Sequence, residues 1–539
     1  MEGWVVKKIG FFRFFIVLLV MVFALSGCSG GESKTSSSSD SNKSQKIVKK
    51  DGKDITIAVA ADFTTMDPHD TNDTLSYSVQ KTMLQGLVGF DKEMKVIPVL
   101  AENYSVNDNA TEFTFKLRKG IKFHDGTPFN AEAVKANLDR LTDPNSTLIR
   151  SSLFKVVKET IVVDEYTVKV VLSEPFGAML NTFAHPAAMM ISPQALKKYG
   201  DEVSKHPVGT GPYMFEEWQP GDHLTVKKNP DYWNATGNEV DSITFKPTPE
   251  NGTRIAMLQA GDADIIYPVP TESVKSIDGK NGIIVETNPS IVVQYLSMNT
   301  LKKPFDDPRV RQAINYAINK EAFTQVVFNG FASPLKSVIA PNTQFYSEQK
   351  GYDFDLEKAK KLMAEAGYAN GFTATLWGNN NSTSMKAMEF IQQQLAQINI
   401  KVTIESMESG TLSDKIWNVK TPEEAEIQLY YGGWSPSTGD ADWGIRPLLG
   451  GKESYPPFSY NTAYYNNEKV NKLISDALKT ADPNVRKNVY AEIQTEIWND
   501  APWAFLAVTD TICGYKNYVK GAYLLPDGSL SVDHIQIVQ

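Results

Sequence analysis

The sequence predicts an α/β protein with a parallel sheet covered by helices and a mixed strand-and-helix region in its first half. Three observations support this prediction: alternating strand patterns, helices with capping residues, and a strand–helix–strand order in the second half. A strand, a helix and another strand in succession are typical of a parallel crossover unit. The 539 residues predict about two to four domains.

Strand and helix patterns mix within the first 220 residues. A strand at 55–59 is closed by a turn-rich DPHD at 67–70. Alternation predicts a strand at 113–117, and a hairpin pairs 160–163 with 167–171. Between the strand at 113–117 and this hairpin, Asn130 is placed to cap a helix over 131–141.

The second half shows a more regular pattern. Asp307 is a predicted N-cap with Pro308 at the first helical position, and Gly330 lies beyond the end of that helical region. Another helix opens at Asp355 and stops at Gly367. A strand at 372–377, a helix at 385–397 and a strand at 401–405 form the crossover unit. Pro- and Gly-rich segments at 207–212 and around Pro289 predict crossings between two lobes.

Composition excludes several classes of function. The chain has 54 basic and 63 acidic residues, a net charge of −9, which argues against a nucleic-acid partner. Two cysteines exclude a disulfide scaffold and multi-cysteine metal clusters.

The N-terminus reads as an export signal. Lys7, Lys8 and Arg13 precede an apolar run at 14–25 that is too short to span ~30 Å of hydrocarbon, so we expect a cleaved signal peptide over 1–27. LSGC at 25–28 resembles the lipobox of bacterial lipoproteins, which implies lipidation of Cys28 and a membrane anchor. The alternative, a buried Cys28 in an uncleaved anchor, also leaves the protein outside the cytoplasm. The polar remainder of 28–50 predicts a flexible tether, and Cys513 is then left without an intrachain disulfide partner.

The sequence motifs considered for enzymes do not support catalysis. None of the six histidines pairs at i, i+4 spacing, so we expect no metal centre. GTG at 209–211 is followed by Pro212 rather than a helix, so it indicates a turn. Beyond the predicted signal peptide and tether, no serine lies in a Gly-x-Ser-x-Gly elbow, and we expect neither catalysis nor a cofactor.

Two polar clusters are candidates for ligand binding. The segment GWSPSTGDADW at 433–443 combines carboxylates, hydroxyls and indoles, which suits a small zwitterion. Its alternative is a solvated turn in which Asp440 or Asp442 caps a helix through 449. The second cluster, FTTMDP at 63–68, ends a strand with hydroxyls that could instead bond to the backbone.

Several motifs together resemble the solute-binding proteins of peptide-importing ABC transporters, the family 5 group of dipeptide, oligopeptide and nickel binders. They are TMDP at 65–68, LQGL at 84–87, LRKGIKFHDG at 117–126, GTGPY at 209–213, PFDDPRVRQA at 304–313 and GW at 433–434. The resemblance implies a type II periplasmic-binding-protein-like fold, with two lobes on a hinge and an extra domain in the first lobe. It assigns 51–89, 206–293 and 510–539 to the first lobe, 90–205 to the extra domain and 294–509 to the second lobe.

Within the family, the pattern is most similar to glutathione binders, through ADFTTMDP at 61–68, NDTLS at 72–76, AHP at 184–186 and 433–443. The implied ligand-binding residues are Phe63, Thr64, Thr65, Met66, Asn72, His185, Gln294, Tyr295, Trp434, Ser435, Ser437, Thr438, Asp440, Asp442 and Trp443.

The charged members of this set depart from the family patterns. Ser437 stands where dipeptide binders carry an Asp for the peptide amine, so Asp440 and Asp442 become the candidates for the ligand ammonium. Gln294 precedes the hinge Tyr295 where an arginine is expected, which leaves Arg150 as a possible carboxylate partner or, alternatively, a surface salt bridge.

The implied function is that of an extracytoplasmic, lipid-anchored monomer which captures glutathione or a related peptide by lobe closure. It would deliver the ligand to transmembrane permease subunits served by cytoplasmic ATPases. A general dipeptide or oligopeptide importer component is the alternative in the same class. An exported peptidase and a peptide-sensing receptor are the alternatives in other classes.

Overall fold

A computed structural model describes residues 52–237 and 239–538. The predicted signal peptide, Cys28 and the tether lie outside these described residues. Within the described ranges, no helix has the length and apolar character needed to cross a membrane.

Strands and helices are interspersed along the described chain. The strands are β1 Asp54–Val59, β2 Val88–Phe90, β3 Val96–Pro98, β4 Ala101–Val106, β5 Glu112–Leu117, β6 Val157–Asp164, β7 Thr167–Leu172, β8 Tyr213–Gln219, β9 His223–Lys228, β10 Ser242–Pro247, β11 Ile265–Tyr267, β12 Ile283–Met298, β13 Ala332–Pro334, β14 Phe372–Asn379, β15 Ile400–Met407, β16 Leu429–Trp434, β17 Trp503–Lys516, β18 Val519–Lys520, β19 Tyr523–Leu524, β20 Leu530–Ser531 and β21 Gln536–Ile537. The α-helices are α1 Thr74–Met83, α2 Ala131–Thr142, α3 Met179–Ala184, α4 Pro193–Tyr199, α5 Asn251–Ala260, α6 Val274–Ile277, α7 Pro308–Ala317, α8 Lys320–Phe328, α9 Leu356–Glu365, α10 Ser382–Ala396, α11 Ser409–Trp417, α12 Ala441–Leu449, α13 Glu468–Leu478 and α14 Pro483–Asp500. Short 3-10 helices lie at Pro68–Asp70, Ile149–Phe154, Pro186–Ala188, Gly200–Lys205, Thr271–Ser273, Pro422–Glu424 and Lys452–Ser454.

One large mixed sheet runs through the described chain in the order β15-β14-β16-β12-β17-β11-β1-β10-β9-β8, with β13 beside β17. Strand β14 is parallel to β15, with Phe372 opposite Ile400, and also parallel to β16. Helix α10 connects β14 to β15, so the predicted parallel crossover is confirmed. Its buried Met388 and Ile391 pack on the sheet and cover the second-half core.

A separate antiparallel sheet has the order β4-β5-β7-β6. The predicted hairpin is confirmed as β6 and β7, and Phe113 and Phe115 of β5 pack with Leu138 of α2 in one core. Asn130 caps α2 as predicted, because its side-chain oxygen accepts from the Ala133 N–H at 3.1 Å.

The described chain packs as two lobes. The first lobe is built around β1 and β8–β10 together with the four-stranded sheet, and the second lobe around β14–β16 with α7–α10 and α12–α14. Strands β12 and β17 run through both, pairing 283–289 with 510–516 and 293–297 with 503–508. Their register shifts between Pro289 and Val293, in agreement with a crossing near Pro289.

Two details of the sequence prediction are wrong. The segment 207–212 does not cross between lobes, because β8 directly after it stays in the first-lobe part of the sheet beside β9. Gly209 instead allows a close backbone approach, since a Cβ there would lie 2.1 Å from the Met83 carbonyl oxygen. The helical region from Pro308 towards Gly330 is two helices, because Asn319 caps α8 by accepting from Ala322 N–H at 2.9 Å.

Candidate functional site

A cavity of about 310 Å³ lies between the two lobes. The first lobe contributes Asn72, Thr74, Tyr77, Arg150, His185, Pro186, Asp527 and Ser529 to its lining, and the second lobe contributes Gly433, Trp434, Ser435, Ser437, Trp443 and Tyr460. Six of the predicted binding residues therefore meet here: Asn72, His185, Trp434, Ser435, Ser437 and Trp443.

The second-lobe wall is the loop between β16 and α12. Trp434 ends β16, and its indole N–H donates to the Trp443 carbonyl oxygen at 2.8 Å. The two indole centroids lie 5.9 Å apart, and Tyr460 packs on Trp434 at 4.9 Å. This hydrogen bond and the ring contacts fix an aromatic surface against the cavity, which favours exclusion of water from a bound ligand.

Asp440 and Asp442 do not line the cavity. Asp440 caps α12, accepting from the Asp442 N–H at 2.8 Å, and its two oxygens pair with the buried Arg486 guanidinium. Asp442 pairs in the same two-point manner with Arg446, one helical turn further on. Asp440 therefore caps the helix, as the alternative had it, but the turn is buried and not solvated. Neither carboxylate is available to a ligand ammonium, because each already has a counter-charge.

Arg150 supplies a cation to the first-lobe wall. Its Nε donates to the Thr71 carbonyl oxygen at 2.7 Å and lies 2.9 Å from the Tyr77 hydroxyl. Its guanidinium also lies over the Tyr77 ring, 5.6 Å from the centroid. Within the described ranges it forms no ion pair with a carboxylate, so the surface salt-bridge alternative is wrong. Its guanidinium therefore brings a positive charge to the cavity wall.

Asp527 supplies a carboxylate that the sequence did not single out. It is buried, and one oxygen accepts from the Ser529 N–H at 2.8 Å and the Ser529 hydroxyl at 2.6 Å. Lys81 in turn donates to the Ser529 hydroxyl oxygen at 2.6 Å. PDG at 526–528 looks like an ordinary turn between short strands. Its sequence carries no signal that it enters a cavity.

His185 joins the lobes beside the cavity. Its Nδ1 accepts from the Ala187 N–H at 3.0 Å, so the proton lies on Nε2, which donates to the Ser437 hydroxyl at 3.1 Å. Burial lowers the pKa of His185 well below 6.5, and the charges of Arg150 and Lys81 lower it further. The imidazole is therefore neutral at physiological pH.

A second contact crosses the same boundary. The side-chain amide of Asn181 donates to the Thr438 carbonyl oxygen at 3.0 Å, and both residues are buried. Thr438 thus contributes its backbone to the lobe contact rather than a side chain to the cavity lining.

None of the residues at 63–66 lines the cavity. Phe63 packs in the first-lobe core against Phe245, and Met66 is buried. The Thr65 hydroxyl accepts from the Asp67 N–H at 3.0 Å, so the backbone-bonded alternative holds there. Thr64 donates to Asp73 at 2.5 Å, next to the cavity residue Thr74.

Gln294 and Tyr295 lie in the crossing strand and not in the cavity lining. The Gln294 side-chain oxygen accepts from the Tyr431 hydroxyl at 2.9 Å. Tyr295 is buried and stacks on Trp503 with centroids 3.9 Å apart. Both side chains hold β12 against its neighbours β16 and β17.

Comparison with known proteins decides the family. A family model described as bacterial extracellular solute-binding proteins, family 5 Middle, matches residues 95–456, more than half of the chain. The chain belongs to family 5 of the bacterial extracellular solute-binding proteins. This family 5 protein is 44% identical over 488 residues to the glutathione-binding protein GsiB of Pectobacterium atrosepticum, covering 90% of this chain and 95% of that one.

Two solved structures share the fold of this family 5 protein. The periplasmic binding protein DppA of Helicobacter pylori, in complex with the peptide STSA, has a TM-score of 0.75 and 27% identity over 90% of this chain and 98% of its own. HbpA2 of Haemophilus parasuis has a TM-score of 0.80 and 25% identity over 90% of this chain and 100% of its own. The predicted two-lobe type II fold is thereby confirmed. The protein is an extracytoplasmic solute-binding component of an ABC importer.

Proposed function

We propose that this solute-binding protein captures glutathione, or a closely related γ-glutamyl peptide, and delivers it to the permease subunits of an ABC importer. The observation that carries the proposal is an interlobe cavity holding one cation, Arg150, and one buried carboxylate, Asp527. Glutathione carries an ammonium and two carboxylates, so it needs both signs of charge in its site. The 44% identity to a protein named as glutathione-binding supports the same ligand.

The cavity size supports a small ligand. About 310 Å³ lies at the lower end of the roughly 300–1,000 Å³ typical of small-molecule sites. A tripeptide suits this volume better than a long oligopeptide does. The wall formed by Trp434 and Trp443 also limits how far a peptide could extend into the second lobe.

Each wall has a distinct role in the proposed complex. Asp527 pairs with the ligand ammonium, and Arg150 pairs with a carboxylate through guanidinium N–H groups. Asn72 and the hydroxyls of Ser435 and Ser437 are available for the peptide's polar atoms. Trp434 and the neighbouring Trp443 exclude water, which lowers the local dielectric and strengthens both charge pairs.

Ligand capture proceeds by lobe closure. A ligand that contacts Arg150 in one lobe and Trp434 in the other binds the closed state better than the open one, and shifts the population towards it. The His185–Ser437 and Asn181–Thr438 bonds add to the closed state. No covalent bond is made or broken, so the proposed role is binding and not catalysis.

The lobe boundaries and the membrane attachment belong to the same proposal. We assign 51–89, 206–293 and 510–539 to the first lobe, 90–205 to its extra domain and 294–509 to the second lobe. The register shift near Pro289–Val293 supports a hinge there. The protein acts as a monomer anchored through lipid on Cys28, beyond a signal peptide over 1–27.

Thermal unfolding of the lipid-free protein from Lys46 onward tests the ligand. Glutathione, oxidised glutathione, γ-Glu-Cys, mixed dipeptides and Ni²⁺ are compared, because a ligand at ~100 times its Kd adds about 2.7 kcal/mol to the free energy of unfolding. We expect a raised midpoint with glutathione and none with Ni²⁺. A raised midpoint with dipeptides alone would leave the importer role standing and refute the glutathione assignment.

Titration calorimetry of variants tests the site. Asp527→Asn and Arg150→Gln are each expected to weaken glutathione binding about tenfold or more, because each removes a charge-assisted pair. Arg309→Gln is the matched control, since Arg309 is exposed and pairs with Asp307 outside the cavity. Unchanged affinity in both cavity variants would place the ligand elsewhere.

A further inference from the structure

A second cavity of about 410 Å³ lies within the first lobe. It is lined by Lys81 of α1 and the segment after that helix, by 97–99 and 232–234, and by residues of the C-terminal segment 521–534. His185 and Pro186 line both this cavity and the interlobe cavity, so these two residues separate them. His185 is held by hydrogen bonds at both ring nitrogens and is 1% exposed. An occupant of the second cavity is therefore a molecule distinct from the interlobe ligand.

The walls of this cavity are largely apolar and aromatic. Phe90, Tyr232, Trp233 and Tyr523 all contribute to the lining. The Trp233 indole N–H donates to the Gln85 side-chain oxygen at 3.0 Å, and the Gln85 amide donates to the Tyr232 hydroxyl at 2.9 Å. These polar groups are thus satisfied within the wall, and what the rings offer an occupant is mainly apolar and π surface.

One charged group in the lining stands apart. The Asp533 carboxylate is half-buried, and in the described part of the chain it accepts no hydrogen bond and has no cation within 4.0 Å. Lys81 lines the same cavity, but its ammonium is bound to the Ser529 hydroxyl at 2.6 Å. His534 is turned towards Glu239, with its Nδ1 3.6 Å from the carboxylate oxygen.

The surroundings of Asp533 make an unpaired charge costly. Burial raises the pKa of Asp533, while the charges of His534 and Lys81 oppose that rise only in part. A carboxylate partly removed from water and left without donors is less stable than a hydrated one, and a cation beside it would restore the lost stabilisation. The cavity therefore presents a carboxylate without a protein counter-charge next to aromatic rings, which themselves attract cations.

We propose that this first-lobe cavity is a second binding site, which takes a small organic ammonium with an aromatic or branched apolar body. The ammonium pairs with Asp533, and the body packs against Tyr232, Trp233 and Tyr523. This inference does not depend on glutathione being the interlobe ligand.

Titration calorimetry of the purified protein with phenethylamine tests this site, with 2-phenylethanol as the uncharged analogue. A molecule of this size that fills the cavity is expected to bind with a Kd on the order of 1 mM or tighter. The alcohol should bind about tenfold more weakly, since it lacks the charge that pairs with Asp533. Saturating glutathione should leave the amine affinity unchanged, because the cavities are separated by His185 and Pro186.

Asp533→Asn is expected to weaken phenethylamine binding about tenfold or more, with glutathione binding retained. Asp241→Asn is the matched control, because Asp241, like Asp533, raises the pKa of Tyr213 but is exposed and outside the cavity lining. If Asp533→Asn does not fold, the comparison of phenethylamine with 2-phenylethanol on the unmodified protein tests whether a charge on the occupant is needed.

Three results would overturn the proposal: equal binding of amine and alcohol, no binding of either, or displacement of the amine by glutathione. Unchanged amine binding in a folded Asp533→Asn variant would do the same. Amine binding without any glutathione binding would refute the proposed function and leave this second site standing.

Discussion

The Asp440 carboxylate and the Arg486 guanidinium form a buried two-point ion pair, with Oδ2–Nη1 at 2.7 Å and Oδ1–Nη2 at 2.8 Å. Asp440 is 0% exposed and Arg486 3%. The pair ties the start of α12, at the end of the cavity loop, to the first turn of α14. It thereby fixes the end of the loop that joins Trp434 of β16 to the helix carrying Trp443.

Arg486→Met is expected to lower the free energy of unfolding by about 3–5 kcal/mol, because it leaves the Asp440 charge buried and unpaired. Urea unfolding measures the loss. The double variant with Asp440→Asn should recover part of it, since no lone charge then remains. Arg309→Met, at an exposed pair, is the control and should cost much less. Equal losses at the two arginines would contradict the buried pair's importance.

Gly177→Ala should obstruct lobe closure. The Gly177 N–H in the first lobe donates to the Leu478 carbonyl oxygen of the second lobe at 2.7 Å, and a Cβ on Gly177 would lie 2.0 Å from the Thr480 carbonyl oxygen. We expect weaker glutathione binding and a smaller ligand-induced decrease in the radius of gyration, measured by small-angle X-ray scattering. The clash is with backbone, so it cannot be relieved by a side-chain rotation.

Gly252→Ala is the control for that experiment. Gly252 lies in α5, and a Cβ there meets no atom within 4 Å. Ligand affinity should be unchanged in this variant. Normal closure in Gly177→Ala would contradict the prediction, because it would show that the backbone at Thr480 moves aside without loss of affinity.

Stability should fall as the pH drops below about 6.5, the unfolded histidine pKa. Burial lowers the pKa of His69 and of His124 to about 4, and that of His185 well below 6.5. Between these values the unfolded chain binds protons that the folded chain does not, so the stabilisation is complete above pH 6.5 and is lost towards pH 4. Each histidine contributes up to about 1.4 kcal/mol per pH unit.

Urea unfolding between pH 7 and pH 5 measures this slope. His124→Gln should remove about a third of the slope that the three buried histidines contribute to the free energy of unfolding against pH, since one of three similar proton sites is lost. The amide can still donate to the Gly211 carbonyl oxygen that His124 contacts at 3.0 Å. The exposed His206→Gln is the control. A slope that is the same in His124→Gln and the unmodified protein would contradict the prediction.

Ligand binding should change tryptophan fluorescence through Trp434 and Trp443. Both indoles line the interlobe cavity, so their solvation changes when a ligand displaces water. We expect the double variant with phenylalanine at both positions to lose most of the change seen with glutathione. Trp218→Phe, at a first-lobe residue outside the cavity lining, should retain it. Full retention in the double variant would place the ligand away from these rings.

The sequence predicted the local elements well. Asn130, Asp307 and Asp355 cap the helices that were expected from them. The crossover of β14 and β15 was also predicted correctly. Helix caps and apolar periodicity depend only on residues that are near one another in the chain, so the sequence shows them directly. The prediction of one helical region after Pro308 was wrong only at Asn319, which caps a second helix. A cap inside an amphipathic stretch is easily taken for an interior polar residue.

The candidate site was predicted in part. The aromatic and hydroxyl residues of 433–437 line the cavity, as their combination of indoles and hydroxyls indicated. The two carboxylates expected to face a ligand, Asp440 and Asp442, do not line the cavity. Asp440 has its counter-charge 46 residues further along the chain, in Arg486, and no local pattern reports that pairing.

The sequence by itself determined the fold class, the order of its elements and the family, since periodicity, capping and short motifs are properties of neighbouring residues. Only the tertiary structure decided which charges remain available to a ligand. Arg150 reaches the cavity from the short helix Ile149–Phe154, and Asp527 reaches it because the chain returns to the first lobe through β17 after building the second. Charge pairing depends on distances across the fold, and the packing of β12 and β17 sets those distances rather than any sequence spacing.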